Sequence, residues 1–265
     1  MWGYTFKDIK MTKQVHKIIS GVVLLAVLFL LAFFVYKDEV VRFLNPEIAG
    51  ATPFATVYPE RKKTLLPDSV DIVVPFSSQA PLGNWGQPWQ DACEEASVMM
   101  AVAWARGFDL TPDLAAAEIL NEVDFENRAF GYHNDTDVEH TLRLFTEFYR
   151  YGNIALKKEN ISVENIKKEL ASGNIVIVPL AGEILARENP YFARPPHYHM
   201  VVIRGYDDKA QKFIVNEPGT KQGEAFRYSY ATLIEAVHDW TGSASTILLG
   251  EKAMIVVMPL LSNRR

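Results

Sequence analysis

The chain is predicted to contain an α+β domain, and three observations predict it. Capped or apolar helical segments crowd the first half of residues 70–265. Short β-branched runs broken by Gly, Pro and Asp fill the second half, and one uncharged apolar stretch stands apart near the start. Helices first and strands afterwards imply a helical half beside an antiparallel sheet, not alternating βα units. At 265 residues the chain has room for one domain of ordinary size plus an appendage. The net charge of -5 argues against a nucleic-acid partner, and no basic run appears in the C-terminal part.

The appendage comes first. Residues 1–17 are polar, with Lys7, Lys10, Lys13 and Lys17 against a single Asp8, whereas Ile18 to Tyr36 carry no charge over about 19 positions. At ~1.5 Å per residue a helix over 18–36 nearly matches the hydrocarbon thickness of a bilayer, so a single membrane span is expected. Lysines precede it, while Lys37 and Arg42 after it are balanced by Asp38 and Glu39. The N-terminus is therefore expected in the cytoplasm and the domain outside it. The run is long for a cleaved signal peptide, and Ala49-Gly50-Ala51 lies far beyond it. Residues 37–69, with Pro46, Pro53, Pro59 and Pro67 and no sustained period, read as a proline-containing tether.

Val70-Asp71-Ile72-Val73-Val74 is an extended entry to the domain, followed by a Gly/Pro/Trp-rich loop to Trp89. From Cys93 onward, Val98, Met99, Met100, Val102, Ala103 and Trp104 leave little polar face, so this helix is expected to be wrapped by core, with Asp91 available as its cap. Thr111-Pro112-Asp113 opens a second helix with Pro in its first turn, carrying Leu114, Ala117, Ile119 and Leu120. After the loop Gly131 to Asp135, Thr136-x-x-Glu139 has the form of a capping box for a helix with Leu142, Leu144, Phe145 and Phe148. Ser162 starts a shorter helix that Gly173 ends. Strands are expected over Ile175–Leu180, Tyr198–Tyr206, Lys212–Val215 and Ala253–Met258, with a hairpin turn at Asp207 to Ala210 and one late helix opened by Thr232-x-x-Glu235.

The only cysteine, Cys93, sits in the first turn of the apolar helix. Unpaired N–H groups and the positive end of the dipole favour a thiolate there, and the thiol pKa is expected to fall. Glu94 and Glu95 suit the same dipole, though charge so close to the thiol acts in the opposite sense. Around Cys93 the sequence places Val74-Pro75-Phe76-Ser77-Ser78-Gln79 upstream, and His199 with Gly205-Tyr206-Asp207, then Asn216-Glu217-Pro218-Gly219, downstream. In this order of Gln, Cys, His and amide or acid, residues 70 to 258 resemble the papain-like cysteine peptidases. Within them the resemblance is to the family related to the peptidases that trim double-glycine leaders from bacteriocins.

That resemblance implies a papain-like fold, in which the cysteine helix packs against a sheet carrying the histidine. It also implies roles. Cys93 would be the nucleophile and His199 its base and acid. Gln79 would supply an oxyanion-hole donor beside the Cys93 N–H, with Gln87, six residues before the cysteine, as a rival. Either Asn216 or Glu217 would orient the histidine: the family has Asp before this Pro, and strand register decides between the two. His197 faces the same side as His199. A metal site built on His197-x-His199, with His133, lacks the acidic or cysteine cluster of structural zinc, and no metal or other cofactor is expected. Trp85, Trp89, Tyr132 and Tyr206 are candidates to line a groove. Two function classes follow: a membrane-anchored thiol peptidase acting on peptide or isopeptide bonds outside the cytoplasm, and an inactive peptide- or cell-wall-binding module on the same fold. Leader processing transfers poorly, because the chain has no phosphate-binding Gly-x-x-x-x-Gly-Lys loop of an exporter.

Overall fold

The computed structural model describes residues 66–260, with Leu25 alone before them, so the span expected at 18–36 and most of the tether lie outside the described residues. The chain divides into two compact units, Met1–Lys63 and Thr64–Arg265. Among the described residues no helix is long and apolar enough to cross a membrane.

Seven strands build one antiparallel sheet: β1 Ser69–Asp71, β2 Ile154–Lys157, β3 Ile175–Ala181, β4 Tyr198–Asp207, β5 Lys212–Asn216, β6 Phe226–Ser229 and β7 Met254–Val257. Their order is β2-β7-β3-β4-β5-β6, with β1 on β4 beyond the end of β3. β3 is buried at every position and β4 at all but its last, which places cover on both faces and explains continuous runs such as Met200-Val201-Val202-Ile203. The β4–β5 ladder slips between Ile203 and Gly205. The extra residue, Arg204, donates to Asp71 Oδ1 at 2.9 Å and so fastens β1 to β4. Gly205 allows that approach, since a Cβ there would lie 2.2 Å from the Val70 carbonyl oxygen.

Among the described residues 66–260, six helices accompany the sheet: α1 Cys93–Arg106, α2 Pro112–Ala129, α3 Val138–Arg143 running into a π turn at Leu144–Phe148, α4 Val163–Ala171, α5 Gly182–Leu185 and α6 Tyr230–Ala236. α1 is the hub. All its residues but Trp104 and Arg106 are buried, and Gly107 ends it at φ 76°. Val98, Met100 and Val102 join the sheet core, while Ala96 and Met99 meet Ala115, Ile119 and Val123 of α2 in a second cluster. Each large apolar side chain so buried contributes about 1.5–3 kcal/mol.

Several local expectations change. Asp91 does not cap α1; Ala92 holds the cap position with no side-chain bond, and Asp91 closes a short 3-10 turn from Trp89. α3 is capped by Asp137, whose carboxylate accepts from the His140 N–H at 2.9 Å, and α6 by Ser229, so neither Thr136 nor Thr232 plays that part. α2 buries Ala115, Ala116, Ile119, Glu122, Val123 and Glu126, leaving Leu114 and Leu120 exposed. The tether's end belongs to the domain, because the Pro67 carbonyl accepts from Tyr206 Oη at 2.7 Å and Ser69 is already in β1.

Candidate active site

Cys93 opens α1, and His199 is the second residue of β4. Packing of α1 on β4 brings them together. One turn beyond Cys93, Ser97 Oγ donates to the carbonyl of Met200 at 3.3 Å, which fixes the helix beside the residue after the histidine. Cys93 and His199, 3% and 2% exposed, line one cleft of about 640 Å³ together with Gln79.

The histidine is held from behind. Its Nε2–H donates to Glu217 Oε1, and the same carboxyl accepts from the Gly219 N–H at 2.8 Å and from Tyr228 Oη at 2.8 Å. Asn189 Nδ2 in turn donates to Tyr228 Oη at 2.8 Å. With Nε2 so engaged, Nδ1 is the ring nitrogen left to exchange a proton with a thiol. Phe192 meets the ring edge-on at 5.6 Å. Gly219 is required here: a Cβ would lie 2.8 Å from the Phe192 ring and 3.0 Å from both Glu217 Oε1 and His199 Cε1. Gly223 is required too, because a Cβ there would lie 1.8 Å from the Glu217 carbonyl oxygen.

Asn216 and Glu217, left as alternatives by the sequence, have separate tasks. Asn216 ends β5 and turns away from the cleft: its Nδ2 donates to the carbonyls of Val74 and Pro75 at 3.1 and 3.2 Å. It thereby anchors the strand leading to Gln79. Glu217 takes the histidine.

Gln79 lies in the cleft and Gln87 does not; Gln87 is exposed and donates to Asp91. The Gln79 N–H donates to the Pro218 carbonyl at 2.9 Å, which ties the loop before α1 to the Glu217 turn. Its side-chain amide is less free than expected. Both hydrogens of Nε2 are taken, by the carbonyls of Trp89 at 2.9 Å and Gln90 at 2.7 Å, while Oε1 is buried with no partner among the described residues.

The surroundings of Cys93 run against the expected lowering of its thiol pKa. Cys93 Sγ donates to Glu94 Oε2 at 2.9 Å and not to His199, and Glu94 Oε1 accepts from the Thr136 N–H at 2.7 Å. Burial first, then the neighbouring Glu94, Asp135 and Glu95 carboxyls, push the Cys93 thiol well above its ordinary value. A helix dipole worth about half a charge does not outweigh them. Glu94 itself is pushed up by burial and by Glu95. Beside it Glu95 and Glu126 face each other, both buried, and a hydrogen bond between the two carboxyls requires a proton shared between them.

Other expected residues are dispersed. His197 lines the cleft but its Nδ1 pairs with Glu183 at 2.9 Å, and His133 Nδ1 meets Asn127 at 3.2 Å. Among the described residues no group of three or more His, Cys, Asp or Glu is arranged to hold a metal. Trp85 does line the cleft. Trp89 belongs to the second core cluster, Tyr132 packs at the surface against His140 at 5.7 Å, and Tyr206 is buried. Tyr191 and Phe192 take their place, from a segment the sequence reading passed over. Tyr228 was also missed; the paired glycines 219 and 223 after Glu217 were the available sign of a crowded turn.

A model of the Peptidase_C39 like family matches residues 72–245. Among solved structures, the chain is similar to a protein from Bacillus anthracis described as a C39-like peptidase, with 16% identity, a TM-score of 0.48, and coverage of 72% of this chain and 98% of that one. It is also similar to xylellain, a cysteine protease from Xylella fastidiosa, with 15% identity, a TM-score of 0.46, and coverage of 74% and 87%. No curated protein matches at a significant level.

Proposed function

Because this chain belongs to the Peptidase_C39 like family, we propose that its domain is a cysteine peptidase that hydrolyses peptide or isopeptide bonds through an acyl-enzyme on Cys93. One observation carries the reading: Cys93 and His199 line a single cleft, with the histidine held through Nε2 by Glu217. In the reaction the Cys93 thiol exchanges Glu94 for His199 Nδ1 and passes it a proton. Sulfur then attacks the scissile carbonyl carbon. The oxyanion meets the Cys93 N–H, which has no acceptor within its own helix, and Gln79 Nε2 once it releases Trp89 or Gln90. His199 returns the proton to the departing amine. Water, deprotonated by the same imidazole, cleaves the thioester and restores the thiol.

A second reading, a peptide-binding module without turnover, draws on the resting thiol being bonded to Glu94 and pushed toward its neutral form. The deciding experiment is mass spectrometry of a diverse peptide library exposed to the detergent-solubilised full chain, beside Cys93→Ala and His199→Ala. Cleavage lost in both variants supports the peptidase. Absence of cleavage by the unaltered chain favours the binding module.

We propose further that residues 18–36 anchor the protein in a membrane with the domain outside the cytoplasm, on the strength of the uncharged run and the lysines before it. Protease added to intact cells should then digest the domain; its protection would overturn this topology.

A further inference from the structure

We infer that Asp135 is a specificity-determining residue of the cleft, receiving a primary ammonium group of the substrate close to the scissile carbonyl. The inference rests on the peptidase reading of Cys93 and names a substrate class for it. Asp135 lines the same cleft as Cys93, His199 and Gln79. Its backbone is held at φ 47°, and the next residue, Thr136, gives its N–H to the buried Glu94 at 2.7 Å. The backbone that carries Asp135 is thus held against the first turn of α1, where Cys93 stands.

No structural task absorbs it. Asp137, two residues on, caps α3, and the Asp135 side chain has no hydrogen bond or ion pair among the described residues. The cations that line the cleft, Arg194 and Lys221, do not pair with it. Its neighbour Asp91 is accounted for differently, accepting from Asn134 Nδ2 at 3.0 Å and from Gln87. Burial, then Asp91, lift the Asp135 pKa to about 6, while His197 and His199 pull it down. An acid kept half-buried without a partner gains most from a cation brought to it, since the desolvation is already in place. Trp85, Tyr191 and Phe192 in the same cleft offer apolar surface for the chain of such a group.

An ammonium can come from a lysine-type side chain or from a free N-terminus, and matched peptides separate the two: lysine against Nε-acetyl-lysine, and free against acetylated α-amine. The full chain in detergent gives kcat/KM for each pair, and Cys93→Ala gives Kd without turnover. A charged member should be favoured by about 10–100-fold over its neutral twin, as hydrogen bonds to charged groups allow. The ratio should collapse toward one in Asp135→Asn. Asparagine accepts left-handed backbone readily, so the loop is preserved, and an unchanged near-UV circular dichroism spectrum checks this. Equal handling of charged and neutral twins, or a preference that survives Asp135→Asn, overturns the assignment. Discrimination in Kd with no cleavage of any peptide would instead sink the peptidase reading and leave Asp135 as a cation site.

Discussion

The two sides of the cleft are built in opposite ways. On the sheet side, Glu217 accepts from His199, Gly219 and Tyr228, and Tyr228 is fixed by Asn189, so that every polar atom behind the histidine is used. On the helix side, Cys93 leans on Glu94, and the carboxyls of Glu95, Glu122 and Glu126 are buried without a cation to pair with among the described residues. The difference teaches where rearrangement can occur. His199 is held in one place by its partners; for Cys93 to act as the proposed nucleophile it has to exchange Glu94 for another partner.

The largest effect should come from the satisfied side. Glu217→Gln keeps the shape but can offer His199 an N–H in place of an acceptor, so kcat should fall by about 10²–10⁴-fold. Asn216→Ala should spare kcat and lower stability by about 2 kcal/mol, because it strands the Val74 and Pro75 carbonyls. Urea titrations beside steady-state rates would check both. Equal losses of kcat in the two variants would erase the division of labour between them.

Next comes the pH dependence of the unsatisfied side. Glu126 has its pKa raised from 4.5 to about 9, chiefly by burial, and Glu95 and Glu122 are raised in the same sense. The folded state therefore holds protons that the unfolded chain has released above about pH 4.5. For Glu126 this contribution is full below that pH and is lost as pH rises toward 9, by up to about 1.4 kcal/mol per unit, and Glu95 and Glu122 act in the same direction. Melting curves should fall steadily from pH 5 to pH 9, with a shallower slope in Glu126→Gln. A flat or rising profile would contradict the buried carboxyl pair.

Smaller effects sharpen the contrast at the nucleophile. Unaltered Cys93 should alkylate with iodoacetamide at pH 7 more slowly than glutathione. Glu94→Gln keeps an acceptor for the Thr136 N–H, removes the ionisable carboxyl that raises the thiol pKa, and should raise the rate by about 10-fold. No change on removing Glu94 would show that burial alone governs the thiol. Gly219→Ala should reduce kcat several-fold by displacing the imidazole, with intact melting behaviour; an unaffected kcat would mean that the turn yields without moving His199.

Much of this arrangement was legible from residues. The α1 helix was, because its apolar run leaves no solvent face; so were β3 and β4, whose β-branched runs suit a sheet covered on both sides. Strands β2 and β6 were not, being four residues each with Lys157 and Arg227 among them. The buried face of α2 was misread because Glu122 and Glu126 count as surface residues until Tyr149 and Glu95 are found against them. Asn216 and Glu217 could not be separated, since register on β5 passes through the bulge at Arg204, which no local pattern announces. The direction of the Cys93 shift turned on burial, which a helix-end argument does not contain.

The three residues of β1 have a mechanical consequence. Any tension on the chain entering at residue 66 falls first on the short ladder from Ser69 to Asp71 and on the Arg204–Asp71 pair. That grip is on the Asp207 end of β4, eight residues and roughly 25 Å of extended strand from His199. A load applied there can peel one strand like a tab while the paired halves of the cleft stay closed.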